Sequence, residues 1–249
     1  PSDPSGALLW AQPDSDAAWQ ELSGSGNPPG RQGHSVLWLR TRLTGPDVQD
    51  PALQIEIIDQ LCEAFLDGQL VYRFGQLDGK GPWAQRFLGY PVHYIPLGRA
   101  MLGHDYRGST LTLRIYSEHL NIGLFGQQRI GTRLSLAREL FRHELSLLIV
   151  GILLLAVGVA SLILYAHSRQ DLAYLSYGGF SFFVGLYALC RTKSGFWVDE
   201  HPLLSFYLEL LAFYSCISCL LFFLKHIIGA GPLRLMSAFA WMTAIYEVI

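Results

Sequence analysis

Leu145–Ala166 reads LSLLIVGILLLAVGVASLILYA and contains no charged side chain. At about 1.5 Å per helical residue, these 22 residues reach across the ~30 Å hydrocarbon core of a bilayer. The composition changes at this stretch. Residues 1–144 carry 13 Lys/Arg and 15 Asp/Glu, whereas residues 145–249 carry five of each. A water-facing part is therefore joined to a membrane part by one apolar helix. The net charge of −2 is too small and too evenly mixed to suggest a nucleic-acid-binding domain, and no nucleic-acid partner is expected.

Downstream, three more apolar runs follow. Leu172–Cys190 and Leu203–Leu224 are each long enough to span, and another begins near 233 and runs to 249. The connections are short, so successive helices are expected to be antiparallel neighbours. Gly151 and Gly158 in the first run, and Ser181-x-x-x-Gly185 in the second, are small residues that let two helix backbones approach closely. Glu209 stands mid-way along the third run with no charged neighbour in it. A carboxylate in hydrocarbon is costly unless protonated, paired or hydrated, so Glu209 is expected to face the bundle interior, as a functional polar site or an interhelical hydrogen bond. Cys216-x-x-Cys219 has metal-ligand spacing but lies in an apolar helix with no second Cys/His pair, so no metal and no cofactor are expected.

Upstream, the pattern is that of short strands. In Val36–Leu43, Leu37, Leu39, Thr41 and Leu43 alternate with Trp38, Arg40 and Arg42, so the leucines should meet a core and the Trp/Arg/Arg face should be solvated or form a binding surface. Leu53–Ile58 reads as a second strand. Asp67-Gly68 between apolar, β-prone runs marks a hairpin with a type I′ turn. Val92–Pro96 and Leu111–Ser117 complete the strand signals, with Leu111, Leu113 and Ile115 on one face. Residues 1–35, rich in Pro, Gly, Ser and Asp, read as loop apart from Trp10 and Trp19. Cys62 is the only cysteine in this part, so no internal disulfide forms. The fold expected for residues 1–130 is an all-β sandwich. It is followed by a basic helical linker (131–144) starting near Thr132–Ser135, and then by a transmembrane α-helical bundle (145–166, 172–190, 203–224 and an incomplete 233–249).

Two resemblances add to this reading. Trp38-x-x-Thr41 within WLRTRL, the FLDGQLV run at Phe65–Val71 and the LTLRIYS run at Leu111–Ser117 resemble the galactose-binding-like jelly roll. That resemblance implies a sandwich whose face or loops hold a small molecule. Leu164–Leu189, with Arg169, Leu172, Tyr174 and Leu175 at the turn into an aromatic-rich second helix, is similar to bacterial seven-transmembrane receptors with diverse intracellular signalling modules. That family implies an extracytoplasmic sandwich, seven helices and a cytoplasmic output domain such as a kinase, nucleotide cyclase or phosphatase. The chain begins at Pro1 and ends inside an apolar run, so a longer protein is expected.

The function read from these features is a sensory receptor in the bacterial inner membrane, not itself an enzyme. A carbohydrate or carboxylate would be held by Trp38, Arg40 and Arg42: the ring for stacking, the guanidinium groups for anionic or hydroxylated groups. The partners expected are the lipid bilayer, that small molecule and a second copy of the chain. The alternative is a membrane-anchored carbohydrate-binding protein or glycoside-active enzyme. Its carboxylates would be drawn from Glu56, Asp59, Glu63 and Asp67, but no G-x-S-x-G or H-E-x-x-H motif is present and no catalytic residue is assigned. Charge bias points against an external sandwich, since Arg129, Arg133, Arg138, Arg142, Arg191 and Lys193 outnumber Arg169, Lys225 and Arg234 on the opposite side.

Overall fold

A computed structural model of the chain describes residues 9–12, 19–22, 28, 31, 33–77, 87–98, 105–168, 172–193, 201–229 and 235–246. The chain divides into two compact units, Pro1–Glu139 and Leu140–Ile249.

The first unit is an antiparallel β-sandwich. Its strands are β1 (Val36–Arg42), β2 (Pro51–Ile58), β3 (Leu61–Leu66), β4 (Gln69–Phe74), β5 (His93–Pro96), β6 (Thr110–Tyr116) and β7 (Leu124–Thr132). One sheet has the order β1-β6-β3-β4 and the other β5-β2-β7. Among the described strands, β3 and β4 alone are consecutive neighbours in one sheet; every other consecutive pair lies in different sheets. Asp67 (φ 47°) and Gly68 (φ 86°) both occupy the left-handed region at that hairpin, as a type I′ turn requires. The Asp67 carboxylate also accepts from the backbone N–H of Thr110 at 2.8 Å, tying the turn to β6.

Alternation decides which side chains enter the core. The register aligns Leu37, Ile115 and Cys62 in one row, and Leu39, Leu113 and Ala64 in the next. Leu53, Ile55 and Ile95 of the second sheet close over them. The Cys62 thiol is fully buried there, and burial, followed by the charge of neighbouring Glu63, pushes it far above the ordinary thiol range, outweighing a backbone hydrogen bond to Phe74. Cys62 is therefore expected to resist a maleimide at pH 8 in the native protein and to react once the chain is denatured. Rapid labelling of the native chain, read by mass spectrometry, would contradict its place in this core.

Strand β7 departs from the sequence reading, whose strand signals end at Ser117. LFGQQRIGT pairs along β2 from Ile58↔Leu124 to Pro51↔Thr132 and completes the second sheet. Its two glycines and two glutamines hide the alternation by which the other strands are recognised. The helix then starts where expected. Thr132 caps it, its hydroxyl accepting from the N–H of Ser135 at 3.1 Å.

That helix, α1 (Arg133–Ser168), is 36 residues long, about 54 Å at ~1.5 Å per residue. Its first turns are fastened to the sandwich. Leu136 is buried beside Gly131, Arg129 pairs with Glu139 at 2.7 Å, and the Arg133 guanidinium lies over the Tyr94 ring. Among the described residues, three further helices follow: α2 (Leu172–Arg191), α3 (Pro202–Ile228) and α4 (Leu235–Tyr246). Pro202 opens α3, where its missing N–H costs nothing, and Gly229 closes it at φ 94°. Among the described residues, α1, α2 and α3 are long and apolar enough to cross a membrane, while α4 has 12 described residues.

Candidate functional site

The outward face of the four-stranded sheet holds the Trp/Arg pattern seen in the sequence. One row crosses all four strands in the order Trp38, Arg114, Glu63, Arg73. Glu63 is buried, accepting from Arg114 at 3.2 Å and from Arg73 at 2.9 Å. The Arg114 guanidinium also lies over the Trp38 ring, 5.7 Å from its centroid. Trp38 stacks on Phe65 at 6.1 Å. The alternation in β6 does not predict how far Thr112, Arg114 and Tyr116, expected to face away from the core, are removed from water: Arg114 is held by this row, and Tyr116 packs against Leu61 and Leu77.

Part of the cover comes from the N-terminal segment. The 3-10 turn Leu9–Ala11 brings Trp10 to 6.3 Å from Trp38, and Trp19 sits 5.6 Å from Trp10. Arg40 lies over Trp19 at 5.5 Å. The two tryptophans were visible in a stretch otherwise composed like a loop, and they are the signal that it packs.

Beside this cover, along the outer edge of β1, is a cleft of about 490 Å³. Trp19, Trp38, Arg40 and Gln128 line its polar side, together with Gln20 and Glu21, and Leu39, Leu53, Ile55, Leu111 and Leu113 form its apolar depth. β1 and β7 are both edge strands of their sheets, so the opening lies where the sandwich is not sealed by backbone pairing. Trp38 and Arg40 of the sequence-derived set are thus brought together. Arg42 is not: it is exposed, does not line the cleft, and its Nε donates to the Gly108 carbonyl at 3.0 Å.

The four acidic residues considered for glycoside chemistry are distributed differently. Asp59 lies before β3 and Asp67 after it, at opposite ends of a strand of 6 residues that spans about 20 Å at ~3.3 Å per residue, well beyond the ~5–9.5 Å carboxylate spacing of glycosidases. Glu63 is locked between two arginines, and Glu56 sits against Gly126. Asp59 is buried at the opposite end of the sandwich from the start of α1, 3.3 Å from Nδ1 of His119. Nearby, the Tyr116 hydroxyl donates to Glu118 at 2.6 Å. Burial, then that hydrogen bond and the Glu118 charge, push Tyr116 up to about 12.

In the membrane part, the glycines mark backbone contact. A Cβ on Gly158 would lie 2.6 Å from the amide nitrogen of Phe182, and one on Gly185 2.7 Å from the carbonyl oxygen of Gly151. Ser181 is buried in the same interface. Glu209 is about two turns from the start of α3, not at the centre of a span, and it is paired: Arg191, the last residue of α2, donates to it at 2.9 Å. The partner was unforeseeable from the third run alone because it sits on another helix. Glu144 accepts from the backbone N–H of Lys193 at 2.9 Å. Neither Cys216 nor Cys219 is in a disulfide, and no cluster of metal-ligating side chains occurs among the described residues.

Compared with known proteins, residues 143–249 match the family model described as 7TM diverse intracellular signalling. Over those residues the chain is similar to that family. No curated protein and no solved structure matches the chain. The 7TM signalling segment begins inside α1, and the Leu164–Leu189 stretch that carried the resemblance lies within it. Of the turn residues that pointed to the family, Leu172, Tyr174 and Leu175 stand in the first turns of α2, and Arg169 lies outside the described residues. The protein is an integral membrane protein with a β-sandwich ahead of its 7TM signalling segment.

Proposed function

We propose that the chain is the sensing half of a membrane receptor, in which the sandwich binds a carbohydrate or a carboxylate in the cleft along β1 and α1 carries its state toward the bilayer. The observation that supports this most is the convergence of Trp19, Trp38 and Arg40 on one open cleft ahead of a 7TM signalling segment. Aromatic faces accept the apolar side of a sugar ring, and a guanidinium takes a carboxylate or hydroxyls. The ligand switches the receptor only if it favours one of two states. The enzyme reading loses ground because its carboxylates do not converge.

The sandwich belongs outside the cell on this reading. Arg129 and Arg133 are bound to Glu139 and Tyr94 within the folded first unit and so travel with a domain whose charges do not set topology. That leaves Arg138, Arg142, Arg191 and Lys193 against Arg169, Lys225 and Arg234, which is close to even.

The test is tryptophan fluorescence of the full chain in nanodiscs, titrated with neutral sugars, uronic acids and dicarboxylates. A saturable change is expected for at least one compound, weakened tenfold or more by Trp38→Ala or Arg40→Met. Unchanged affinity in both variants would remove the cleft as the site.

A further inference from the structure

A second cleft, of about 520 Å³, lies at the end of the sandwich where β7 runs into α1. Its floor is apolar and aromatic, formed by Pro51, Val71, Tyr72 and Tyr94. The two rings are held in place: the Tyr72 hydroxyl is 2.9 Å from Nδ1 of the buried His93, and Gln54 reaches the Tyr94 hydroxyl at 3.5 Å. Two charged side chains of opposite sign complete the lining, Asp50 and Arg133. They do not form an ion pair with each other or with any other side chain among the described residues. Arg133 spends its guanidinium face on the Tyr94 ring, 5.5 Å away, which fixes it over the cleft while leaving its N–H edge for an acceptor.

We propose that this cleft binds a small zwitterion of the α-amino-acid class, its carboxylate on Arg133, its ammonium group on Asp50 and its side chain on the tyrosine and proline floor. A single negative or positive ligand would satisfy one of the two charges and leave the other facing it without a partner. A ligand carrying both groups at short separation satisfies both, which is the basis of selection against its truncated analogues. The site is distinct from the Trp38 cleft and shares no lining residue with it. Because Arg133 is the first residue of α1, the ligand would touch the second sheet and the start of the membrane helix together.

The experiment is calorimetric titration of the full chain in nanodiscs with L-leucine and L-phenylalanine, each beside the matching amine and the matching acid lacking the amino group. Saturable binding of at least one amino acid is expected, with both truncated forms tenfold or more weaker. Asp50→Asn, which tolerates the φ of 48° at this position, should bring the amino acid down to the level of the acid alone. Arg133→Met should bring it down to the level of the amine alone. Resistance of Cys62 to maleimide confirms that each variant remains folded. Absence of saturable binding, truncated forms that bind as tightly, or affinities unmoved in both variants would each overturn the assignment.

Discussion

Replacing Gly158 by leucine is expected to lower the stability of the membrane part by about 3 kcal/mol or more, the upper end of the usual range for overpacked cores. The new Cβ would meet backbone, 2.6 Å from the nitrogen and 2.8 Å from the Cα of Phe182 and 2.9 Å from the carbonyl oxygen of Gly178. No rotamer change relieves a collision with backbone, so α1 and α2 must move apart and lose the contacts that hold them. In a membrane, close packing is the main attraction between apolar helices, since lipid offers each of them an equally apolar surface. Gly185→Leu should act alike, its Cβ falling 2.7 Å from both the Gly151 carbonyl oxygen and the Leu155 nitrogen. Gly151→Ala is the internal contrast. There the nearest atoms are Leu189 side-chain atoms at 3.1–3.2 Å, which can rotate away, and the Ala188 Cβ at 3.2 Å, which asks for a shift of only a few tenths of an ångström, so a loss within about 1.5 kcal/mol is expected. Thermal melting of the helical circular dichroism in nanodiscs ranks the three; equal melting temperatures for Gly151→Ala and Gly158→Leu would show that this interface is not close-packed.

Glu63→Gln should be the most damaging polar substitution in the sandwich, costing about 3–5 kcal/mol. Glu63 is 3% exposed and Arg114 12% exposed, so removing the carboxylate charge strands a buried guanidinium beneath the Trp38 ring. Arg73 is half in water and can rehydrate, so its share of the loss is small. If the stranded charge is the cause, Glu63→Gln combined with Arg114→Met recovers much of the stability, because breaking a buried pair costs more than replacing it. Urea unfolding followed by tryptophan fluorescence measures both. A double variant no more stable than the single one would place the cost elsewhere.

Much of this architecture is legible in the residues. Alternation in VLWLRTR and TLTLRIY gives two strands and their core faces, and Asp67-Gly68 gives the hairpin, because each signal is local. The first three hydrophobic runs correspond to α1, α2 and α3 for the same reason: spanning helices are selected by length and apolarity alone. What escapes is non-local. β7 is a strand because β2 offers it an edge, not because of its own pattern. The outer face of β6 is buried because Glu63, two strands' pairings away from Trp38, draws Arg114 inward, while Tyr116 packs against Leu61 and Leu77. Arg191 finds Glu209 across a loop, and Arg133 finds Tyr94 from a different sheet strand, so neither pair has a sequence signature. The candidate site was half legible. Trp38 and Arg40 share a strand face, but the cleft they line depends on Trp19 and on β7, and Arg42, two residues on, is turned to a different carbonyl.

A receptor that senses a molecule outside the cell must hold its sandwich there, and the charge bias of the sequence argues the reverse. Leu120, in the loop after β6, is 88% exposed, so Leu120→Cys presents a thiol on the sandwich surface, while the native Cys62 and Cys190 are buried. Labelling intact cells with a membrane-impermeant maleimide, beside the parent chain as background, reads its side of the membrane directly. Leu120→Cys is expected to be labelled in intact cells. Labelling that appears only after the cells are permeabilised would place the sandwich inside and contradict it.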